Sequence, residues 1–148
     1  MTDTTRTLTD RLEITEALAR YAYGIDDRNF DAVSAIFTPD AHLDYAASGG
    51  PVADRDKVIA WIESGMGVVG PSQHLVTNVV VELDGDEATS RCLLFNPMIM
   101  PLEDPLLLYL GGGYRDRWRR TDDGWRIVHR VQEIVWSSNG PVGTIPGM

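Results

Sequence analysis

Beyond residue 73 the chain is dominated by strand-like runs punctuated by turn signals, and this constrains it most. "QHLVTNVVVELDGDEATSRCLLFNPM" reads as two strands joined at DGDE, and "LLLYLGGGYRDRWRR" and "GWRIVHRVQEIVW" as two more joined at TDDG. Asp-Gly pairs between such runs favour tight hairpins. "MPLEDP" must be a loop, because prolines flank it. Gly111, Gly112 and Gly113 mark a bulge or sharp bend in the third run. The glycines lack the strand-to-helix context and the spacing of a phosphate-binding loop.

Helical patterns precede these strands. Over residues 9–26, Ile14, Ala17, Leu18, Tyr21, Ala22 and Ile25 recur at spacings of three and four, giving one apolar face. Thr9 suits an N-cap, with Asp10 and Glu13 near the positive end of the helix dipole. At about 100° per residue, Asp26 lies on the flank of the apolar face and Asp27 points to solvent. A second helix follows through Phe30, Val33, Ile36 and Phe37 and is stopped by "TPDA". "AHLDYAA" reads as a short strand, "SGGPVADRD" as a loop, and "DKVIAWIESG" as a helix ending at Gly65. Helices followed by gathered strands predict an α+β fold, with helices covering one face of a curved antiparallel sheet. No repeat or linker divides the chain, so residues 1–148 are expected to form one domain.

Composition narrows the partners. A net charge of -9 over 148 residues repels phosphate backbones and anionic lipids, which argues against nucleic acid and membrane surfaces. The lone Cys92 has no disulfide partner within the chain, as expected of a reducing compartment or of indifference to redox. The polar start lacks an apolar signal core, and no apolar run is long enough to span a bilayer. A soluble cytoplasmic protein is the expectation. The end, "NGPVGTIPGM", has few anchors and is read as mobile or as folding over an opening.

Few residues suit chemistry. His74 opens the most strand-like run, with Val76, Asn78 and Val80 on one face and Leu75, Thr77, Val79 and Val81 on the other. Both faces are largely apolar, so the strand is expected to be covered on both sides and His74 to be at least partly buried. It is then either a satisfied structural histidine or a base. Asp26 is either a solvated helix-end carboxylate or, if turned inward, a partner for that ring. A carboxylate fixing the tautomer of His74 would leave the other ring nitrogen free to take a proton, a general base without a nucleophile. Tyr21 and Tyr45 are core aromatics or phenolic donors to a ligand oxygen. Arg130, placed by alternation with Val128 and Gln132, is either snorkelling or paired inside. The "DRWRR" run reads as a solvated strand face. Met98 and Met100 fill the core or line a ligand cavity. His42 and Asp44 share a strand face, but no second cluster has metal-ligand spacing. Serine- and cysteine-nucleophile signatures are absent. No metal or cofactor is expected.

The order "RYAYGIDDRNFDAVSAIFTPDAHLDY", "SQHLVTNVVVELDGDEATSRC" and "DRWRRTDDGWRIVHR" resembles the SnoaL-like branch of the nuclear-transport-factor-2-like superfamily over nearly the whole chain. Within it the chain is similar to scytalone dehydratase, hexachlorocyclohexane dehydrochlorinase and bile-acid dehydratases. The resemblance implies a cone: a bent antiparallel sheet wrapped around N-terminal helices, with an apolar pocket at its mouth. It implies an Asp26–His74 catalytic dyad, with Tyr21, Tyr45 and Arg130 contacting substrate. "FNPMIM" and "GGGYR" stand where scytalone dehydratase has a second histidine and a Ser/Asn pair, which argues against that substrate.

The expected activity is a cofactor-free, dehydratase-type lyase acting on a small, largely apolar hydroxylated molecule, cyclic or open-chain. The alternatives are an isomerase or polyketide-cyclase-type enzyme, or a non-catalytic ligand-binding or structural subunit. The resemblance also implies a homodimer or larger homo-oligomer.

Overall fold

The computed structural model of the chain describes residues 3–138. Its elements are α1 (Asp3–Asp26), α2 (Phe30–Ser34), β1 (Phe37–Asp44), a 3-10 turn (Ala46–Ser48), β2 (Val52–Asp54), α3 (Arg55–Met66), β3 (Leu75–Asp84), β4 (Glu87–Met100), β5 (Leu106–Thr121) and β6 (Gly124–Ser137). Six strands form one sheet in the order β2-β1-β6-β5-β4-β3. Strands β3 to β6 are an antiparallel meander with turns at the expected places, and β2 pairs antiparallel with β1. The β1–β6 pairing is parallel, the one departure from an antiparallel sheet. The α+β expectation holds, with the helices packed against a bent sheet.

The helix boundaries differ from the sequence reading for local reasons. Thr9 lies inside α1, where its hydroxyl donates to the Thr5 carbonyl at 2.9 Å instead of capping. Residues of "TPDA" do not stop α2, which ends at Ser34; they lie in β1, and a register break between Phe37 and His42 accommodates Pro39. Part of "SGGPVADRD" pairs with β1 as β2. The third helix runs past Gly65 to a cap at Gly67. Gly24 has a packing role: a Cβ there would lie 2.8 Å from Val33 Cγ2, so its absence lets α2 close onto the end of α1.

Two bulges defeat simple alternation. On β3, a register break between Thr77 and Val80 places Asn78 at φ 53°, in the left-handed region. Val76 packs against the core before the bulge, and Val79, Val81 and Leu83 after it. β3 is an edge strand whose outer face is open, not covered on both sides: Val80 is 60% exposed. On β6, a break opposite Arg117 and Trp118 puts Ile127, not Val128, in the core with Arg130 and Gln132. The expected bend on β5 is present, as a register shift between Gly111 and Gly112. At Gly113 a Cβ would stand 2.3 Å from the Cys92 carbonyl oxygen, so only glycine lets β4 and β5 approach this closely there.

The core joins Ile14, Leu18, Tyr21 and Ile25 of α1 to Leu43, Leu94, Tyr114, Trp118, Trp125 and Ile127 of the sheet. Each large apolar side chain buried this way contributes about 1.5–3 kcal/mol. The buried indoles keep their hydrogen bonds: Trp118 donates to Ser90 at 2.8 Å and Trp125 to Asp10 at 3.1 Å. Arg120 closes on Asp10 with bonds of 2.6 and 2.8 Å, which hold that carboxyl below its usual range. The "DRWRR" run is therefore only half a solvated face, because Asp116 and Trp118 point inward. The terminal "NGPVGTIPGM" lies outside the described residues. Among those described, no helix is long and apolar enough to cross a membrane.

Candidate active site

The last residue of α1 meets the first residues before β3. Asp26 is partly buried and Asp27 exposed, as the helical phase predicts. Asp26 Oδ1 accepts from the Ser72 hydroxyl at 2.8 Å and lies 2.7 Å from His74 Nδ1, while Oδ2 accepts the His74 backbone N–H at 2.7 Å. The His74 side chain is only 8% exposed. Burial alone would raise the Asp26 carboxyl, but the bonds from the His74 ring, the His74 backbone and Ser72 outweigh it and hold the group below its ordinary range. The carboxylate is thus ionised and accepts only, so Nδ1 carries the ring hydrogen and Nε2 of the neutral ring carries a lone pair.

Arg28 locks this junction. In the left-handed region at φ 59°, it donates to the carbonyls of Asp26 (2.8 Å) and Ile25 (3.3 Å) at the end of α1. It also reaches Val69 (3.1 Å), Gly70 (2.8 Å) and the Ser72 hydroxyl (3.2 Å) ahead of β3. One guanidinium therefore ties together the two segments that carry the Asp26–His74 pair.

His74 forms part of the wall of a cavity of about 320 Å³ between α1, α3 and the sheet. Ile25, Trp61, Ile62, Met66, Met98, Met100, Leu108 and Leu110 make its apolar wall, so both methionines line a cavity rather than only filling the core. Its polar groups are His74, Asn96, Ser48, Gln132 and the phenols of Tyr21, Tyr45 and Tyr114. Tyr21 and Tyr45 share a hydroxyl–hydroxyl hydrogen bond of 2.7 Å. Burial pushes all three phenols far above their usual range, which keeps them protonated as donors.

Arg130 is fully buried and sits behind these phenols, outside the cavity wall. It makes a two-pronged pair with Asp116 at 2.7 and 2.8 Å. The rings of Tyr114 and Tyr21 lie 4.0 and 4.3 Å from its central carbon. Its charge acts on the cavity from behind the three phenols of Tyr21, Tyr45 and Tyr114.

Other chemistry finds little support in the geometry. Cys92 is buried and its thiol is pushed up to about 11, which keeps it protonated. His42 stacks on His129 with ring centres 5.9 Å apart, away from the cavity. Burial, with Arg117 and His42 nearby, lowers His129. Among the described residues no group of three or more His, Cys, Asp or Glu side chains is placed to hold a metal.

Sequence reasoning passed over Asn96, Ser72, Arg28 and Tyr114. Asn96 had a readable signal. It falls on the inward phase of β4 between Leu94 and Met98, where a polar residue stands out. Its Nδ2 lies 3.0 Å from His74 Nε2.

Residues 6–131 match the model of the SnoaL-like domain. The chain belongs to the SnoaL-like family. It is 41% identical over 125 residues to the uncharacterized protein Rv2910c of Mycobacterium tuberculosis, a match covering 84% of this chain and 85% of that protein. The structure of Kfla4162 from Kribbella flavida superposes with a TM-score of 0.82 at 28% identity, over 90% of this chain and 95% of the other. A Novosphingobium aromaticivorans protein provisionally described as a scytalone dehydratase superposes with a TM-score of 0.84 at 21% identity, over 95% and 93%. The SnoaL-like chain has the nuclear-transport-factor-2-like fold, as its resemblance implied, and that fold by itself hosts unrelated functions.

Proposed function

We propose that this SnoaL-like protein is a cofactor-free lyase that eliminates water from a small, largely apolar, hydroxylated molecule. The observation that carries the reading is the placement of His74: Nδ1 rests on an ionised carboxylate, and the ring belongs to the wall of an apolar cavity that also holds three protonated phenols. In this reading Nε2 takes a proton from a carbon next to a carbonyl, and Asp26 stabilises the imidazolium that forms. The Tyr21–Tyr45 hydrogen bond uses one of the two O–H groups, and the other donates to the carbonyl oxygen as it gains charge. The carbon–oxygen bond to the leaving hydroxyl then breaks, the imidazolium returns the proton to it, and the products are an alkene and water. Arg130 holds the phenols in place and acts on the substrate only through them. The likeness to a protein provisionally described as a scytalone dehydratase agrees with this reading.

The paired phenols also suit an enolate oxygen, which favours proton-transfer isomerisation or ring closure as the second reading. Incubating the protein with cyclic β-hydroxy ketones and analysing the products by mass spectrometry separates the two, because only elimination loses one water. His74→Ala and Asp26→Asn should each abolish turnover while circular dichroism stays unchanged. Full activity in either variant overturns both readings.

A further inference from the structure

Gln132 is a buried amide in the wall of the cavity, and only one of its two ends has a partner. Its Oε1 meets the hydroxyl of Ser48, in the 3-10 turn that follows Tyr45. Its Nε2 makes no hydrogen bond among the described residues. The buried side-chain atoms sealed there without a partner are Asn96 Oδ1 and Arg130 Nη1, and Gln132 Nε2 is not one of them. The amide nitrogen therefore opens on the cavity.

Ser48 decides which end faces inward. Its hydroxyl has one hydrogen and two acceptors within reach, Gln132 Oε1 and, at 3.1 Å, the Tyr45 carbonyl. That carbonyl already accepts the backbone N–H groups of Ser48 at 3.1 Å and Gly50 at 2.9 Å, which occupy its two lone pairs. The hydroxyl hydrogen thus goes to Gln132 Oε1. The oxygen end of the amide is held at the turn, and the NH₂ end is left for whatever fills the cavity.

A donor is wanted at this place. Gln132 is the direct cross-strand partner of Tyr114, and Ser48 ties it to the turn that begins at Tyr45, so the amide lies between two of the three phenols. A carbonyl oxygen has two lone pairs to fill. The Tyr21–Tyr45 bond leaves that pair only one O–H group to give.

We propose that Gln132 is a substrate-binding residue that donates a second hydrogen bond to the carbonyl oxygen held by the phenols, and that Ser48 is the positioning residue that keeps the amide in this sense. The ligand class follows. A ketone or ester oxygen, which only accepts, fits between a phenol and an amide N–H; a hydroxyl there brings a hydrogen that neither can receive while donating. That this oxygen belongs to the molecule that loses water rests on the lyase reading; the amide donor does not.

The test is calorimetric titration of the full chain with 1-tetralone and with tetralin, two-ring probes that differ by one carbonyl oxygen and suit a cavity of about 320 Å³. Gln132→Leu should lower the preference for the ketone by about tenfold relative to wild type, one hydrogen bond's worth, while tetralin binds as before. The infrared carbonyl stretch of bound ¹³C-labelled 1-tetralone should move to higher frequency in the same variant. Ser48→Ala leaves the amide free to reverse about its two-fold terminal torsion and should reduce the preference by about twofold. Ser48→Thr, which keeps the hydroxyl, should restore it. An undiminished preference in Gln132→Leu would show that the phenols hold the carbonyl alone and overturns the proposal, as does 1-tetralone that fails to bind wild type. If Gln132→Leu also loses tetralin, the Ser48 variants decide, because their substitution lies in an exposed turn: a preference untouched by Ser48→Ala overturns the proposed orientation. None of these readouts requires turnover, so an absence of water elimination would fall on the proposed reaction alone.

Discussion

Asp26 grips His74 twice, through the ring at Nδ1 and through the backbone N–H, each at 2.7 Å. One carboxylate therefore sets the direction of the imidazole and fixes where the chain turns into β3. Ser72 supplies a third hydrogen bond at 2.8 Å, and Arg28 binds the segments on both sides. The end of α1 and the start of β3 are coupled through the group on which the proposed chemistry depends, so substitutions at Asp26 should register in both activity and stability.

Asp26→Asn is expected to lower turnover by a factor of about 100 or more, because the amide no longer demands the Nδ1–H tautomer. The same variant should lose about 1.5–3 kcal/mol at neutral pH, the scale of hydrogen bonds to a charged group. The carboxyl is depressed in the folded state, so its contribution is complete above the unfolded value of about 4 and is lost as pH falls through the folded value. Urea unfolding at pH 7 and at about pH 3 measures this. The gap between wild type and Asp26→Asn should narrow in acid; a constant gap would show that the carboxylate is not held by these bonds.

Tyr21→Phe and Tyr45→Phe each remove one oxygen from a buried 2.7 Å pair and leave the other without that partner. Each should cost about 1 kcal/mol in thermal stability. If the pair forms the oxygen-binding element, each should also reduce kcat by about 100-fold with little change in KM. Because the two hydroxyls act as one unit, the double variant should be hardly worse than the poorer single. Additive losses in steady-state kinetics would mean that the phenols serve separate atoms.

What could be read in the letters follows from how regular each element is. Asp26 was legible because α1 keeps its helical phase to its last residue, and Tyr21 because it shares that phase. The open edge of β3 was not, because the bulge at Asn78 turns both halves of its valine run inward in succession and erases the alternation that marks an exposed face. The parallel docking of β1 on β6 joins segments far apart in sequence across a register break at Pro39, and no local pattern encodes that. Arg28 depends on a left-handed backbone that an arginine seldom adopts, so nothing nearby announces it. Asn96 is the opposite case: β4 alternates cleanly, and the polar residue on its inward phase was there to be noticed.

Arg130 offers a way to separate scaffold from substrate contact. It is fully buried against Asp116, and removing one partner of such a pair typically costs about 3–5 kcal/mol because the other charge is left unpaired. Arg130→Met should therefore lower the melting temperature sharply, and Arg130→Met with Asp116→Leu should recover most of the loss. A direct contact with substrate predicts instead that Arg130→Met folds normally and raises KM. Thermal unfolding of the single and double variants decides between the two.

The outer face of the sheet carries the remaining expectation, self-association. Leu75 and Phe95 are cross-strand partners there, and Leu93, Val80 and Trp136 extend the apolar surface, with Leu93 47% exposed and Trp136 46%. Phe95 lies against Tyr109 and Trp136, with ring centres 5.8 and 6.1 Å away. Arg91 and Arg117 share this face with Glu82 and Glu133, a mixture of charges that a two-fold copy of the same face can complement. Contiguous apolar surface of this kind is what an obligate interface leaves open when its partner is absent. Light scattering coupled to size exclusion should report a dimer or larger species for wild type. Leu93→Glu places an anion at the middle of the patch, on the face opposite the cavity, and should shift the protein to monomer without altering its helical signal. A wild-type monomer at high micromolar concentration would remove self-association through this face.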